Sequence, residues 1–104
     1  MRPIDVAPHD LATVQAILRQ HVSEHEVRAF GSRVRWTARE TSDLDLAIMT
    51  DTPLAPECMA DLREAFSESN LPFKVDLVDW AATGEAFRRV IEQDYEVIQP
   101  ARWG

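Results

Sequence analysis

The chain has 104 residues, 45% hydrophobic and 28% charged, a balance that excludes wholesale disorder, collagen-like repeats and a coiled coil. Eleven Lys and Arg against eighteen Asp and Glu give a net charge of −7, which argues against direct binding of free nucleic acid. A lone cysteine, Cys58, excludes an intrachain disulfide and fits the reducing cytoplasm. No apolar run approaches the roughly 20 residues that span a bilayer, and Met-Arg-Pro-Ile-Asp at the start has no signal-peptide core. The expectation is a cytoplasmic protein with no membrane partner. Nothing divides the chain, so residues 1–104 are read as a single domain.

The elements follow in chain order. A first helix is expected over about Pro8 to Val22, with Leu11, Val14, Ile17 and Leu18 on one face and Pro8 tolerated in its first turn. Glu26 to Phe30 reads as a short strand ending at Gly31, and Leu44 to Met49 as a better one, bounded by polar residues and Thr-Asp-Thr-Pro. A second long helix is expected over about Pro56 to Glu68, striped by Met59, Leu62 and Phe66 and stopped near Asn70 and Pro72. Phe73 to Val78 is a third strand. Thr83 is placed to cap a last helix whose inner face carries Phe87, Val90 and Ile91. The class is α/β or α+β: a small three-stranded sheet flanked by about four helices, one a turn after Ser32. The helix between the second and third strands makes those two parallel. The spacing between the first and second permits either direction.

Asp43 and Asp45 carry the chemistry. Residues i and i+2 of a strand share a face, so these carboxylates project together while Leu44, Leu46 and Ile48 point into the core. Adjacent like charges destabilise a sheet unless something neutralises them. A divalent cation does so, and oxygen-only donors favour Mg²⁺ or Mn²⁺ over zinc. Asp76 lies in an apolar strand on the face opposite Phe73, Val75 and Leu77, where it can reach the same site. Three carboxylates on neighbouring strands suit two-metal phosphoryl transfer. Gly31 allows close backbone approach, Ser32 offers a hydroxyl and an N–H, and Arg33 or Arg35 adds charge for a triphosphate. Taken singly these signals are weak, since solvated acidic strand ends and Gly-Ser turns are common. Their order and apolar flanks give them weight.

Other candidates are blander. His21 and His25 are four apart, but the helix is expected to end between them, leaving surface histidines. Cys58 reads as core packing. Trp80 and Trp103 could anchor a partner, with core capping the ordinary role for Trp80. Nothing near Tyr95 would activate it as a nucleophile.

Gly31-Ser32, ten residues, then Asp43-Leu44-Asp45 resembles the signature of the polymerase-β-like nucleotidyltransferases. Ala29-Phe30-Gly31-Ser32-Arg33, Ser42-Asp43-Leu44-Asp45-Leu46-Ala47-Ile48 and Lys74-Val75-Asp76-Leu77-Val78-Asp79 are similar to the minimal nucleotidyltransferase (MNT) branch over about residues 8–95. The resemblance implies a mixed sheet with the first two strands antiparallel and Gly31 beside Asp43. It implies Asp43 and Asp45 on two Mg²⁺ ions, and Asp76 on the catalytic metal and the acceptor proton. Gly31, Ser32, Arg33 and Ser42 would contact the nucleotide, with ATP as substrate. It also implies a HEPN-type ribonuclease toxin as partner, with this chain as antitoxin transferring AMP to a toxin tyrosine, alone as a homo-oligomer or assembled with the toxin. Neutralisation by binding alone, or nucleotide transfer to an aminoglycoside-type small molecule, are the alternatives. Two features depart from the family pattern: Trp36 stands where small residues, often Gly, are usual, and no helical acceptor domain follows the core.

Overall fold

The computed structural model describes residues 3–102, so Trp103 lies outside the described residues. Helix α1, Pro8–Val22, starts on its proline and buries Val14, Leu18 and Val22, one residue per turn. Strand β1, Glu26–Phe30, turns Val27 and Ala29 toward the same core. A one-turn helix α2, Ser32–Arg35, follows Gly31, and β2 covers Leu44–Met49. Helix α3, Pro56–Ser67, buries Leu62 and Phe66 and leads to β3, Val75–Asp79. A short 3-10 turn, Trp80–Ala82, precedes α4, Glu85–Gln93, and β4, Tyr95–Gln99.

The sheet has four strands, in the order β3-β2-β1-β4, rather than the three expected. β1 pairs antiparallel with β2 and with β4, and β2 pairs parallel with β3. The strand that sequence reasoning missed is short, lies at an edge and leaves Tyr95 and Val97 substantially exposed, so its alternation did not read as a core strand. Gln99 ties it to α1: its Nε2 donates to the carbonyls of Val22 and His25, both at 2.9 Å.

One sheet face packs against α1 and α3, with Leu44, Leu46 and Ile48 fully buried there as expected. The other face carries a smaller cluster of Phe30, Ala47 and Ile91, flanked by Met49, Val78 and Trp80. Of the α4 residues expected to face inward, only Ile91 does; Phe87 and Val90 are exposed. A nine-residue helix beside this small cluster cannot bury a full stripe, and Phe87 meets Phe30 edge-on with ring centres 5.8 Å apart. Thr83 does not cap α4 either. Its hydroxyl donates to the Asp79 carbonyl, and Gly84 occupies the N-cap. Trp80 is a core cap, half-buried beneath the Arg88 guanidinium. Among the described residues, no helix is long and apolar enough to cross a membrane.

Candidate active site

The parallel register places Asp45 directly beside Asp76 on the second sheet face, with Asp43 two residues earlier at the mouth of β2. No hydrogen bond or ion pair engages any of the three side chains among the described residues. Their mutual effect appears in Asp45. Burial pushes its carboxyl above the usual carboxylate range, the charges of Asp76 and Asp43 push it further, and Arg35 opposes them. Asp45 and Asp76 thus stand side by side across the β2–β3 register, and Asp43 lies just before β2.

Gly31 closes one flank. Its φ of +81° lies in the region that favours glycine, and a Cβ built there would overlap the Oδ2 of Asp45. The close approach expected of this glycine is thus an approach to a carboxylate, and to Asp45 rather than Asp43. The register explains the difference: Phe30 pairs with Asp45, so the next residue passes over that side chain. Ser32 then opens α2. Its side chain makes no hydrogen bond among the described residues and stays available beside the acids.

The two nearby arginines divide. Arg33, expected on the nucleotide, is only 6% exposed. Its guanidinium donates to the carbonyls of Asp5 at 2.8 Å, Glu40 at 3.1 Å and Ser42 at 2.8 Å, and stacks 4.4 Å from the Phe73 ring centre. With its donors so engaged, Arg33 pins the loop that delivers Asp43. Arg35 is exposed and is the cation that Asp45 senses. Ser42 belongs to the loop scaffold: its carbonyl accepts from Arg33 and its Oγ from the Arg39 N–H at 2.9 Å. Local sequence does not mark which arginine turns inward, because the distinction depends on carbonyls remote in the chain. Trp36 ends α2 with φ +58°, the left-handed conformation in which a helix stop usually carries glycine.

Oxygen-only donors suit Mg²⁺. Even so, no three His, Cys, Asp or Glu side chains among the described residues stand close enough to form a ready metal cage. The expected two-metal cluster is therefore not preassembled. Mg²⁺ commonly binds through one or two carboxylates together with substrate phosphates. The crowded charges around Asp45 fit a cation that arrives with its nucleotide. His21 and His25 take no part in a cluster, and Cys58 packs against the core, its thiol pushed up by burial.

Beside Asp43 and Asp76 a groove of about 820 Å³ opens between the end of α3 and β3, with Arg63, Phe66, Phe73 and Lys74 among its walls.

Three comparisons bear on this arrangement. The family model described as polymerase beta, nucleotidyltransferase, matches residues 12–100. The chain is 51% identical over 96 residues to a probable protein adenylyltransferase MntA of Haemophilus influenzae, covering 92% of this chain and 84% of that one. A crystal structure of a toxin–antitoxin with AMP-PNP superposes with a TM-score of 0.74 at 20% identity, over 88% of this chain and 74% of that one. The tri-AMPylated Shewanella oneidensis HEPN toxin in complex with MNT antitoxin matches with a TM-score of 0.67 at 19% identity, over 88% and 71%. The two structural likenesses establish the fold.

Proposed function

The chain belongs to the polymerase β nucleotidyltransferase family, and from that premise we propose that it is a metal-dependent protein adenylyltransferase, an antitoxin that moves AMP from ATP to a tyrosine hydroxyl of a HEPN-type toxin. The observation that carries this reading is the unpartnered pair Asp45 and Asp76, side by side in the β2–β3 register with Gly31 against Asp45. The protein acceptor and the toxin rest on the name of the Haemophilus influenzae relative and on the toxin–antitoxin complexes that share the fold.

Asp43, Asp45 and Asp76 would hold Mg²⁺, which supplies neutralisation of the charge that develops on the transferring phosphoryl group. Gly31 and Ser32 bind the triphosphate, and Arg35 adds charge on the same flank. Arg33 acts at one remove, by fixing the loop before Asp43. Asp76 accepts the tyrosine proton as the tyrosine oxygen bonds to the α-phosphorus. The bond from that phosphorus to the bridging oxygen of the β-phosphate breaks, and pyrophosphate leaves. The new phosphodiester is bulky and negative, and on a ribonuclease it would repel RNA phosphates.

Labelled ATP, Mg²⁺, the chain and its chromosomal neighbour should yield a labelled neighbour, and a folded Asp43→Ala/Asp45→Ala variant should yield none. Equal labelling by that variant rejects the reading. Rescue of cells by the same variant would instead favour neutralisation by binding.

A further inference from the structure

β3 is an edge strand, and the groove of about 820 Å³ beside Asp43 and Asp76 runs along it, lined by the four consecutive residues Lys74 to Leu77. Four consecutive residues include side chains from both faces of the strand, so the groove follows the strand's open edge. Its outer wall is the end of α3 and the loop beyond, with Arg63, Phe66 and Leu71. The chain carries a net charge of −7, yet two cations, Arg63 and Lys74, line this groove together with the site carboxylates Asp43 and Asp76. Neither makes an ion pair or a side-chain hydrogen bond among the described residues. Lys74, the only lysine of the chain, immediately precedes β3, two residues before Asp76.

Resting on the adenylyltransferase reading, we propose that this groove is the acceptor-docking site, and that it takes an extended segment whose tyrosine is flanked by an acidic residue. An exposed strand edge binds extended peptides through main-chain hydrogen bonds, while adjoining pockets select side chains. Leu71 and Phe73, both partly exposed, offer apolar contact to a tyrosine ring, and Arg63 and Lys74 pair with the neighbouring carboxylate. The location suits the reaction. Gly31 and Ser32 lie on the β1 side of Asp45, and the groove lies on the β3 side. In-line displacement requires the attacking oxygen to approach opposite the leaving pyrophosphate. A triphosphate held on one flank therefore needs its acceptor on the other.

The test has two arms. In the transfer arm, full-length chains carrying Arg63→Glu or Lys74→Glu should show an acceptor KM raised at least about tenfold. Their kcat and their affinity for AMP-PNP should remain unchanged. An unchanged acceptor KM, or AMP-PNP affinity falling in step, overturns the assignment; the second result would make the groove part of the nucleotide site. In the binding arm, a dye-labelled extended peptide centred on Glu-Tyr-Glu is compared with its Gln-Tyr-Gln counterpart, without ATP. The acidic peptide should bind several-fold tighter, and Arg63→Glu should abolish the difference. Equal binding, or none, overturns the proposal. A wild-type chain that labels no protein would defeat the adenylyltransferase reading while the peptide arm still reports on the groove.

Discussion

Asp76 and Asp79 stand three residues apart on β3, and the protein treats them in opposite ways. Asp79, at the C-terminal end, accepts from the Leu54 N–H at 2.7 Å and from the Thr50 hydroxyl, whose oxygen in turn accepts from the Ala81 N–H at 3.0 Å. It fastens the turn after β2 to the turn after β3. Asp76 stands beside Asp45 with no hydrogen-bond or ion-pair partner among the described residues, and Asp45 carries the cost in its raised carboxyl. A satisfied carboxylate marks where the fold is held together. A crowded, unsatisfied one marks where a ligand must complete the arrangement, because like charges are not gathered for stability.

The sharpest way to break that contrast is to neutralise each end in turn. Asp76→Asn should reduce AMP transfer by roughly 1000-fold or more, with the circular dichroism spectrum and Tm preserved. A variant that keeps near-normal transfer would remove Asp76 from the chemistry.

The arginines extend the same comparison. Arg33→Ala leaves three carbonyls without their shared donor and should lower stability by about 3 kcal/mol, a drop in Tm of roughly 15 °C. Arg35→Ala should move stability by less than about 0.5 kcal/mol yet raise the KM for ATP. If thermal melts of the two variants coincide, the division between a buried anchor and a free cation is wrong. Asp79→Ala, at the satisfied end, should cost about 2 kcal/mol by stranding the Leu54 N–H, while transfer per folded molecule is retained.

Asp45 supplies a pH test with the metal removed by chelation. Its carboxyl titrates higher in the folded chain than its ordinary value of 3.8, so the folded state favours the neutral form. Its contribution to stability is fully present below the unfolded value and is lost as pH rises through the raised folded value. Asp45→Asn should therefore be more stable than the parent at neutral pH, and the advantage should fade as pH falls to the ordinary carboxylate value of 3.8 and below. An advantage that is constant with pH would mean that neither burial nor the neighbouring acids raise the Asp45 carboxyl.

Particular residues show what was legible in the sequence. Leu44, Leu46 and Ile48 alternate with Asp45, so a strand with a buried face and a carboxylate face could be read directly, and with it the side-by-side acids. The α1 and α3 stripes were equally plain. β4 was not, because Tyr95 and Val97 face outward at an edge and mimic no core pattern. Arg33 and Arg35 were indistinguishable in composition, since only the carbonyls of Asp5, Glu40 and Ser42, brought together by the fold, decide which one is buried. Thr83 resembled a helix cap because local sequence cannot show that its hydroxyl would meet the Asp79 carbonyl instead.

Backbone strain gathers at the same end of the molecule as the unpaired charge. Trp36 is the one non-glycine residue with positive φ among the described residues, at +58° where α2 stops. For a residue with a Cβ, that conformation costs about 1–2 kcal/mol, whereas glycine adopts it freely. Glycine also gives the unfolded chain about 0.4–1 kcal/mol of extra conformational freedom, and either small residue forfeits whatever the partly covered indole contributes by packing. The informative measurement is therefore Trp36→Gly against Trp36→Ala, since both lose the ring and only one relieves the backbone. The glycine variant should be the more stable by about 1 kcal/mol, a gap of several degrees in Tm. Equal melts would mean that the turn relaxes once the ring is gone and that the strain belongs to the indole. A clear gap would place it in the backbone of the turn that begins at Gly31 and Ser32, where the nucleotide is expected to bind.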